Sequence, residues 1–421
     1  MTETTDPPAG TELPEFPMPR AAGCPFDPPP AFRDLQDAGP VTRVRLRNGG
    51  TPWVVTRYAD QRALLADPRV SVDPRLPGFP RPESPAAEPG RTDDTEGAAS
   101  GTAHLSFINM DDPEHARLRR MVTGSFTVRR IEAMRPAVER IVDGLLDDML
   151  AGPNPVDLVD AFALPVPSLV ICELLGVPYD DHAFFQDNSR TIITRSSTPE
   201  QRYGAHRNLA EYLGALLEAK RADPREDVLS DLGERVANGG LTVPEAVSIA
   251  VLLLFAGHET TANMIALGTL ALLEHPGQWA ALRAADDPKT AANTVEELLR
   301  YLHIPHLGMR RVALEDMEVA GRTIRAGEGM ILLNEMGNRD PDVFPDGDAL
   351  DVRRDARRHL AFSHGVHQCL GQPLARLELQ VVYAALAKRV PTLRLATDLG
   401  SIPFKQDSFI YGVHELPVTW T

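Results

Sequence analysis

Phe362-Ser363-His364-Gly365-Val366-His367-Gln368-Cys369-Leu370-Gly371-Gln372-Pro373 is the stretch on which the reading of this chain turns. Gly365 and Gly371 bracket a cysteine at the mouth of a predicted helix that starts near Leu370 and runs to Arg389. Glycine lets a backbone approach a flat ligand closely or adopt positive φ. Pro373 falls in the first helical turn, where its missing N–H costs nothing. The free N–H groups of a helix N-terminus stabilise a thiolate. A single thiolate on a stiff loop is what an axial ligand to haem iron needs. On spacing alone, the competing reading is a reduced cysteine in a Gly-rich turn.

Upstream, Thr242-Val243-Pro244-Glu245 carries a capping-box pattern with proline in the first turn. The helix it opens can continue to about Glu274, before His275-Pro276-Gly277. That is ~30 residues, or ~45–50 Å at 1.5 Å per residue. Its first half is apolar nearly all round, so it should run through the interior. Inside it stands Ala256-Gly257-His258-Glu259-Thr260-Thr261. A mid-helix glycine costs ~1 kcal/mol relative to alanine, and Gly257 alone would read as helix–helix packing. A carboxylate in an apolar helix is costly unless it is used or paired. Glu259 followed by the Thr260 alcohol is a pair able to pass protons.

The rest of the sequence narrows the class. The chain has 421 residues, 43 Lys plus Arg against 59 Asp plus Glu, and a net charge of −16. Such acidity disfavours nucleic-acid or anionic-membrane partners. Hydrophobic residues are 43%, and a chain this long can enclose a sizeable cofactor. Cys24, Cys172 and Cys369 include no CxxC pair, which excludes zinc ribbons and thioredoxin-like motifs. Lysine occurs only at Lys220, Lys289, Lys388 and Lys405. The N-terminus lacks the apolar run of a secretory leader. The longest apolar stretch, Ala246–Gly257, falls short of the ~20 residues that span a bilayer. A cytoplasmic protein is expected, by default a monomer.

Residues 1–30 read as an irregular Pro-rich segment. Val41–Leu46, Asn48-Gly49-Gly50 and Trp53–Thr56 read as a hairpin. Asp60 is a candidate cap for a short helix to Ala66. Residues 73–103, with Pro74, Pro77, Pro80, Pro82, Pro85 and Pro89, read as a long loop of the kind that serves as a lid. Helical patterns cover Glu114–Ser125, Arg129–Leu150, Pro167–Leu175 and Pro199–Arg221. From Met317 the pattern turns β-like: Met317–Ala320, Gly321–Ile324 and Gly329–Leu333. With no repeat and no linker, residues 1–421 are expected to form one domain.

Phe362-x-x-Gly365-x-His367-x-Cys369-x-Gly371 resembles the haem-binding loop of the cytochrome P-450 superfamily, the haem-thiolate monooxygenases. Ser363 departs from it, standing where glycine is usual. Ala256–Thr261 resembles the family's oxygen-activation motif, Glu297-Leu298-Leu299-Arg300 its Glu-x-x-Arg pair, and His115-x-x-x-Arg119 a helix contacting haem carboxylates. Asn338–Pro341 and Leu374–Glu378 fit soluble bacterial members of class I. Tyr411–Pro417 is similar to the end of members that oxidise vitamin D, statins and macrolides. The motifs share the family's order from about residue 15 onward.

The resemblance implies a mainly α fold with a smaller β region (α+β). This is the single-domain triangular cytochrome P-450 fold, with a long central helix and haem b buried between it and the cysteine-loop helix. It implies Cys369 as the iron ligand within a loop of Phe362, Gly365, His367 and Gly371. It nominates His115, Arg119, Arg311 and His367 for the haem carboxylates, with Arg310 able to replace Arg311. Gly257 would make room for O2. Thr260 would steady the bound oxygen species, and Glu259 would relay solvent protons, with Thr260 favoured over Thr261. Glu297 and Arg300 would form a structural ion pair completed by Arg354. Expected substrate walls are the 73–108 loop, Leu252, Phe255, Ala256, Ile304, Leu307 and on to Met309, and Phe409-Ile410.

The implied activity is insertion of one oxygen atom of O2 into a bulky apolar molecule by hydroxylation or epoxidation, in secondary metabolism or xenobiotic oxidation. No nucleotide- or flavin-binding pattern is evident, so electrons from NAD(P)H would arrive through a ferredoxin and its reductase. The cluster Arg353-Arg354-Asp355-Ala356-Arg357-Arg358, with Arg120, Arg129, Arg130 and Arg376, would steer that partner. Alternatives are a haem-thiolate nitric-oxide reductase or peroxygenase, against which the intact Glu259-Thr260 pair argues, and a non-catalytic helical binding protein.

Overall fold

Strands far apart in sequence build the largest sheet. The computed structural model describes residues 12–21, 23–82, 106–194, 196–285, 287–406 and 408–421. In it, Val41–Arg43, Trp53–Val55, Gly329–Leu332, Met309–Ala313 and Val70–Ser71 lie side by side in that order. Trp53–Val55 pairs antiparallel with Val41–Arg43, in the register Val41 to Val55, and parallel with Met330–Leu332. Met309–Ala313 is antiparallel to Gly329–Leu332, with Arg311 opposite Met330. Alternate side chains of a strand face opposite ways. Accordingly Trp53, Val55, Met330 and Leu332 pack with Leu64, Leu65 and Ile324. Val54 and Ile331 pack with Phe16, Phe32 and Leu46. Both faces of this sheet are covered.

The chain divides into two compact units, each assembled from three separated stretches: 1–116, 305–349 and 359–369 in one; 117–304, 350–358 and 370–421 in the other. The sheet belongs to the first. There the helix Tyr58–Ala66 has no capping side chain of its own. Instead its Tyr58 N–H donates to Asp340 Oδ2 at 2.9 Å.

The second unit is organised on the helix Val243–Glu274. Its capping box is formed: Thr242 N–H donates to Glu245 Oε2 (2.8 Å), and Glu245 N–H to Thr242 Oγ1 (3.3 Å). By length and composition this helix could cross a membrane, but 78% of its most apolar 18-residue window is buried in the protein. The sequence count stops at His258, whereas the apolar run resumes beyond Thr261. Helices Pro165–Leu175, Pro199–Ala222 and Gln372–Arg389 pack against it. At the last contact a Cβ on Gly268 would lie 1.9 Å from the Tyr383 hydroxyl, which donates to the Met264 carbonyl.

Several expectations need correction. The segment 1–30 contributes a two-residue strand, Glu15–Phe16, parallel to Arg45–Leu46, and Phe16 is core. The expected hairpin is present, with the Val44 N–H donating to the Pro52 carbonyl (3.2 Å) and the Leu46 N–H to the Gly50 carbonyl (2.8 Å), while Arg45–Leu46 also pairs with the added strand. Asp60 lies inside its helix, because the distant Asp340 moves the start to Tyr58. Arg129–Leu150 is two helices, Val128–Ala133 and Arg135–Ala151. Most of the predicted 73–103 loop lies outside the described residues.

Candidate functional site

The predicted site residues divide between the units. In the first, the Cys369 N–H donates to the Phe362 carbonyl at 2.9 Å, closing the cysteine loop. Gly365 has φ +73°, and a Cβ there would sit 2.2 Å from the Leu65 carbonyl oxygen. Glycine is thus required both by conformation and by the close pass of the helix Tyr58–Ala66. Ser363 also takes positive φ, +62°. The family's usual glycine would adopt this without strain. Gly371 has ordinary φ, −78°, just before the helix Gln372–Arg389. Cys369 is exposed and in no disulfide.

Beside the loop, the rings of His115 and His367 stand 4.0 Å apart between centroids. His115 is 1% exposed. Its Nδ1 lies 3.1 Å from Asp112 Oδ1, and its Nε2 is buried without a hydrogen-bond partner among the described residues. Arg311 is also buried, and its guanidinium donates to the Arg310 carbonyl (2.7 Å). Among the described residues it is in no ion pair. Burial pulls its pKa down to about 10; the Asp111 carboxylate opposes this and Arg310 adds to it. Arg310, the competing candidate, lies over the Phe79 ring at 5.6 Å.

In the second unit, Glu259 is 5% exposed. Its Oε1 accepts from Lys405 Nζ (2.8 Å) and Asn263 Nδ2 (3.0 Å). Its Oε2 lies 4.0 Å from His258 Nδ1. Burial pushes this carboxyl up, but Lys405, His258 and the two hydrogen bonds together hold it below its ordinary value. Thr260 is half-buried, and its hydroxyl donates to the Ala256 carbonyl at 2.7 Å. Thr261 is buried. The helix is continuous through Gly257, where a Cβ would meet Ile171 Cδ1 at 2.8 Å. The structure thus displays the packing reading of this glycine.

Glu297 and Arg300 are fully buried and joined by two hydrogen bonds, of 2.7 and 2.8 Å. Arg354 Nε (3.2 Å) and the Asp351 N–H (2.8 Å) also donate to Glu297 Oε1. Arg119 is half-buried on the same helix as His115. Of the predicted walls, Leu252 is buried, Phe255 half-buried and Ala256 exposed on the long helix. The Tyr411 N–H donates to the Ile304 carbonyl (2.8 Å), bringing the half-buried Phe409-Ile410 strip to Ile304. Leu307 is buried in the first unit. Residues 83–105 of the expected wall lie outside the described residues. A groove of about 590 Å³ lined from Glu218 to Ala237 holds none of these residues.

Sequence reading missed Asp112, Asn263 and Lys405. Asn263 carried a signal, being one turn after Glu259 on the same helix face. Lys405 carried only its rarity.

The cytochrome P-450 family model matches residues 217–390. Cytochrome P-450 GfsF of Streptomyces halstedii is 54% identical over 425 residues, covering 100% of both chains. The crystal structure of GfsF matches with a TM-score of 0.87 over 97% of this chain and 100% of that one. The vitamin D3 dihydroxylase of Streptomyces griseolus is 48% identical over 422 residues, covering 100% of both. The structure of the mycinamicin VIII C21 methyl hydroxylase MycCI of Micromonospora griseorubida, bound to mycinamicin VIII, is 41% identical with a TM-score of 0.87, covering 97% and 100%. The chain belongs to the cytochrome P-450 family and is a monooxygenase of that family. The family's cofactor is haem bound through a thiolate, and the unpartnered His115 Nε2 and the unpaired Arg311 suit the carboxylates such a group carries.

Proposed function

We propose that this chain hydroxylates or epoxidises a bulky apolar small molecule, with Cys369 as the haem ligand and a ferredoxin and its reductase as electron source. The observation that carries the haem assignment is two buried polar groups of the first unit: His115, whose ring tilts against that of His367 and whose Nε2 has no hydrogen-bond partner among the described residues, and Arg311, which among those residues is in no ion pair. His115, Arg119, Arg311 and His367 would hold the haem carboxylates. Haem ligated by thiolate supplies O2 activation, the sulfur pushing electron density toward iron to favour O–O cleavage.

The protein's own groups bind, orient and deliver protons. Glu259 keeps a negative charge inside an apolar helix and can take a proton at Oε2, the oxygen that accepts no hydrogen bond from Lys405 or Asn263. Thr260 can present its hydroxyl once it turns from the Ala256 carbonyl. Leu252, Phe255, Ile304, Phe409 and Ile410 supply apolar contact area. The named activities of the vitamin D3 and mycinamicin relatives support a large, mostly apolar substrate.

Arg353, Arg357 and Arg358 form an exposed basic run in the second unit, although Arg357 is paired with Asp355. An acidic ferredoxin fits that run, and its reduction rate should fall as salt rises. We further propose that the chain acts as one domain, monomeric and cytoplasmic.

The test is the spectrum of the reduced, carbon-monoxide-bound protein. Wild type should show the haem-thiolate band and Cys369→Ala should lose it; a colourless wild-type protein would sink the reading. Thr260→Ala should keep haem while diverting electrons to peroxide, read as NAD(P)H consumed per product formed.

A further inference from the structure

Lys405 is one of four lysines in the chain, and it comes from the C-terminal stretch, far from Glu259 in sequence. Residues 403–406 and 411–414 lie against each other. Phe404 and Val413 form an antiparallel bridge. The Lys405 N–H donates to the Gly412 carbonyl (2.9 Å), and the His414 N–H to the Pro403 carbonyl (2.8 Å). The rings of Phe404 and Tyr411 stack at 5.8 Å. This pairing rests directly on the long helix, since a Cβ on Gly412 would lie 1.7 Å from Asn263 Oδ1. The same Asn263 donates its amide to Glu259 Oε1, and Lys405 Nζ reaches that oxygen too. The side chains of Lys405 and Glu259 are 15% and 7% exposed. Two elements therefore converge on one carboxylate oxygen, and the other faces His258, whose two ring nitrogens have no hydrogen-bond partner among the described residues.

We infer that Lys405 is a positioning residue: held where 403–405 pairs with 412–414, it fixes Glu259 through Oε1 and leaves Oε2 as the oxygen that takes and gives the proton. This rests on the proton role given to Glu259 above. Among the described residues, the charged and titratable groups facing Glu259 are Lys405 and, on its own helix, His258; Arg190, on the helix His182–Ile193, bears in turn on His258. Burial holds His258 neutral, with its pKa down to about 4, so Lys405 is the cation that matters near pH 7. An isolated buried carboxylate would otherwise favour its protonated form.

The experiment uses the haem-loaded enzyme and the variants Lys405→Met and Lys405→Arg. The first readout is the infrared carboxyl signal of Glu259, assigned by its loss in Glu259→Gln and followed from pH 5 to 8 without turnover. Wild type and Lys405→Arg should stay ionised across that range. Lys405→Met should show a protonated carboxyl whose midpoint lies at least one pH unit higher than in wild type. The second readout is the pH profile of coupled product formation, whose acid limb should move in the same direction, a tenfold change in proton concentration. Lys405→Met that leaves both signals in place would overturn the assignment, and so would Lys405→Arg that moves them. Should Lys405→Met not fold, Lys405→Gln carries the same expected shift and the same overturning result. An absent haem-thiolate band sinks the monooxygenase reading while the infrared titration still reads the ion pair. A normal band with an unmoved Glu259 signal sinks only the role of Lys405.

Discussion

Arg300 and Arg311 are both buried arginines, and they are treated in opposite ways. Arg300 meets Glu297 through two short hydrogen bonds, with Arg354 and the Asp351 N–H completing the acceptor. Arg311 has the carbonyl of its neighbour and, among the described residues, no ion pair. A buried charge that is paired on all sides holds a fold. One without its counter-charge is tolerated where a ligand supplies the missing sign. The contrast sets a charge that holds the fold apart from one proposed to meet a haem carboxylate, without reference to any relative.

The largest expected effect tests the paired side. Glu297→Ala would strand Arg300 and should cost about 3–5 kcal/mol of stability, read from the denaturant midpoint. A loss under about 1 kcal/mol would erase the contrast. A buried carboxylate extends it. Glu335 is 3% exposed with neither oxygen hydrogen-bonded, and burial pushes it up to about 7; Arg20, 3.7 Å away, opposes this without cancelling it. Its folded pKa lies above its ordinary value of 4.5, so the folded state holds the proton longer. Stability should then fall as pH rises from about 4.5 to about 7, by roughly 2–3 kcal/mol. Glu335→Gln should flatten that slope in thermal melts at pH 5 and 8, and an unchanged slope would refute it.

The unpaired side gives a smaller effect with a different signature. Arg311→Met should leave the stability of the haem-free protein unchanged or slightly raised. It should speed haem transfer to an apo-acceptor about tenfold, equivalent to ~1.4 kcal/mol. Loss of stability with haem transfer unaltered would place Arg311 with Arg300. The smallest effect sharpens the loop beside it. Ser363→Gly relieves a positive φ and should stabilise by about 0.5–1 kcal/mol, net of glycine's extra chain entropy.

Local signals in the sequence were read well. Thr242 and Glu245 announce the long helix to the residue, because a capping box is complete within four positions. Glu297 and Arg300 sit one turn apart, and the motif supplied Arg354. What stayed hidden depends on distant partners. The cap of Tyr58 comes from Asp340. The strand Met309–Ala313 was missed because Arg310-Arg311 interrupts its apolar pattern, and only its neighbours Gly329–Leu332 and Val70–Ser71 define it. Lys405 could not be paired with Glu259 from sequence, since nothing local links them. The two units have no sequence boundary because each is stitched from three stretches.

That stitching constrains how the chain can be made. A ribosome releases Val41–Arg43 and Trp53–Val55 early, yet their partner strand Gly329–Leu332 emerges nearly 300 residues later. At synthesis rates of about 5–20 residues per second, those apolar edges wait many seconds for their neighbour. Nascent chains halted before residue 329 should therefore recruit chaperones through the N-terminal strands, and no fragment ending there can bury Trp53 as the finished protein does.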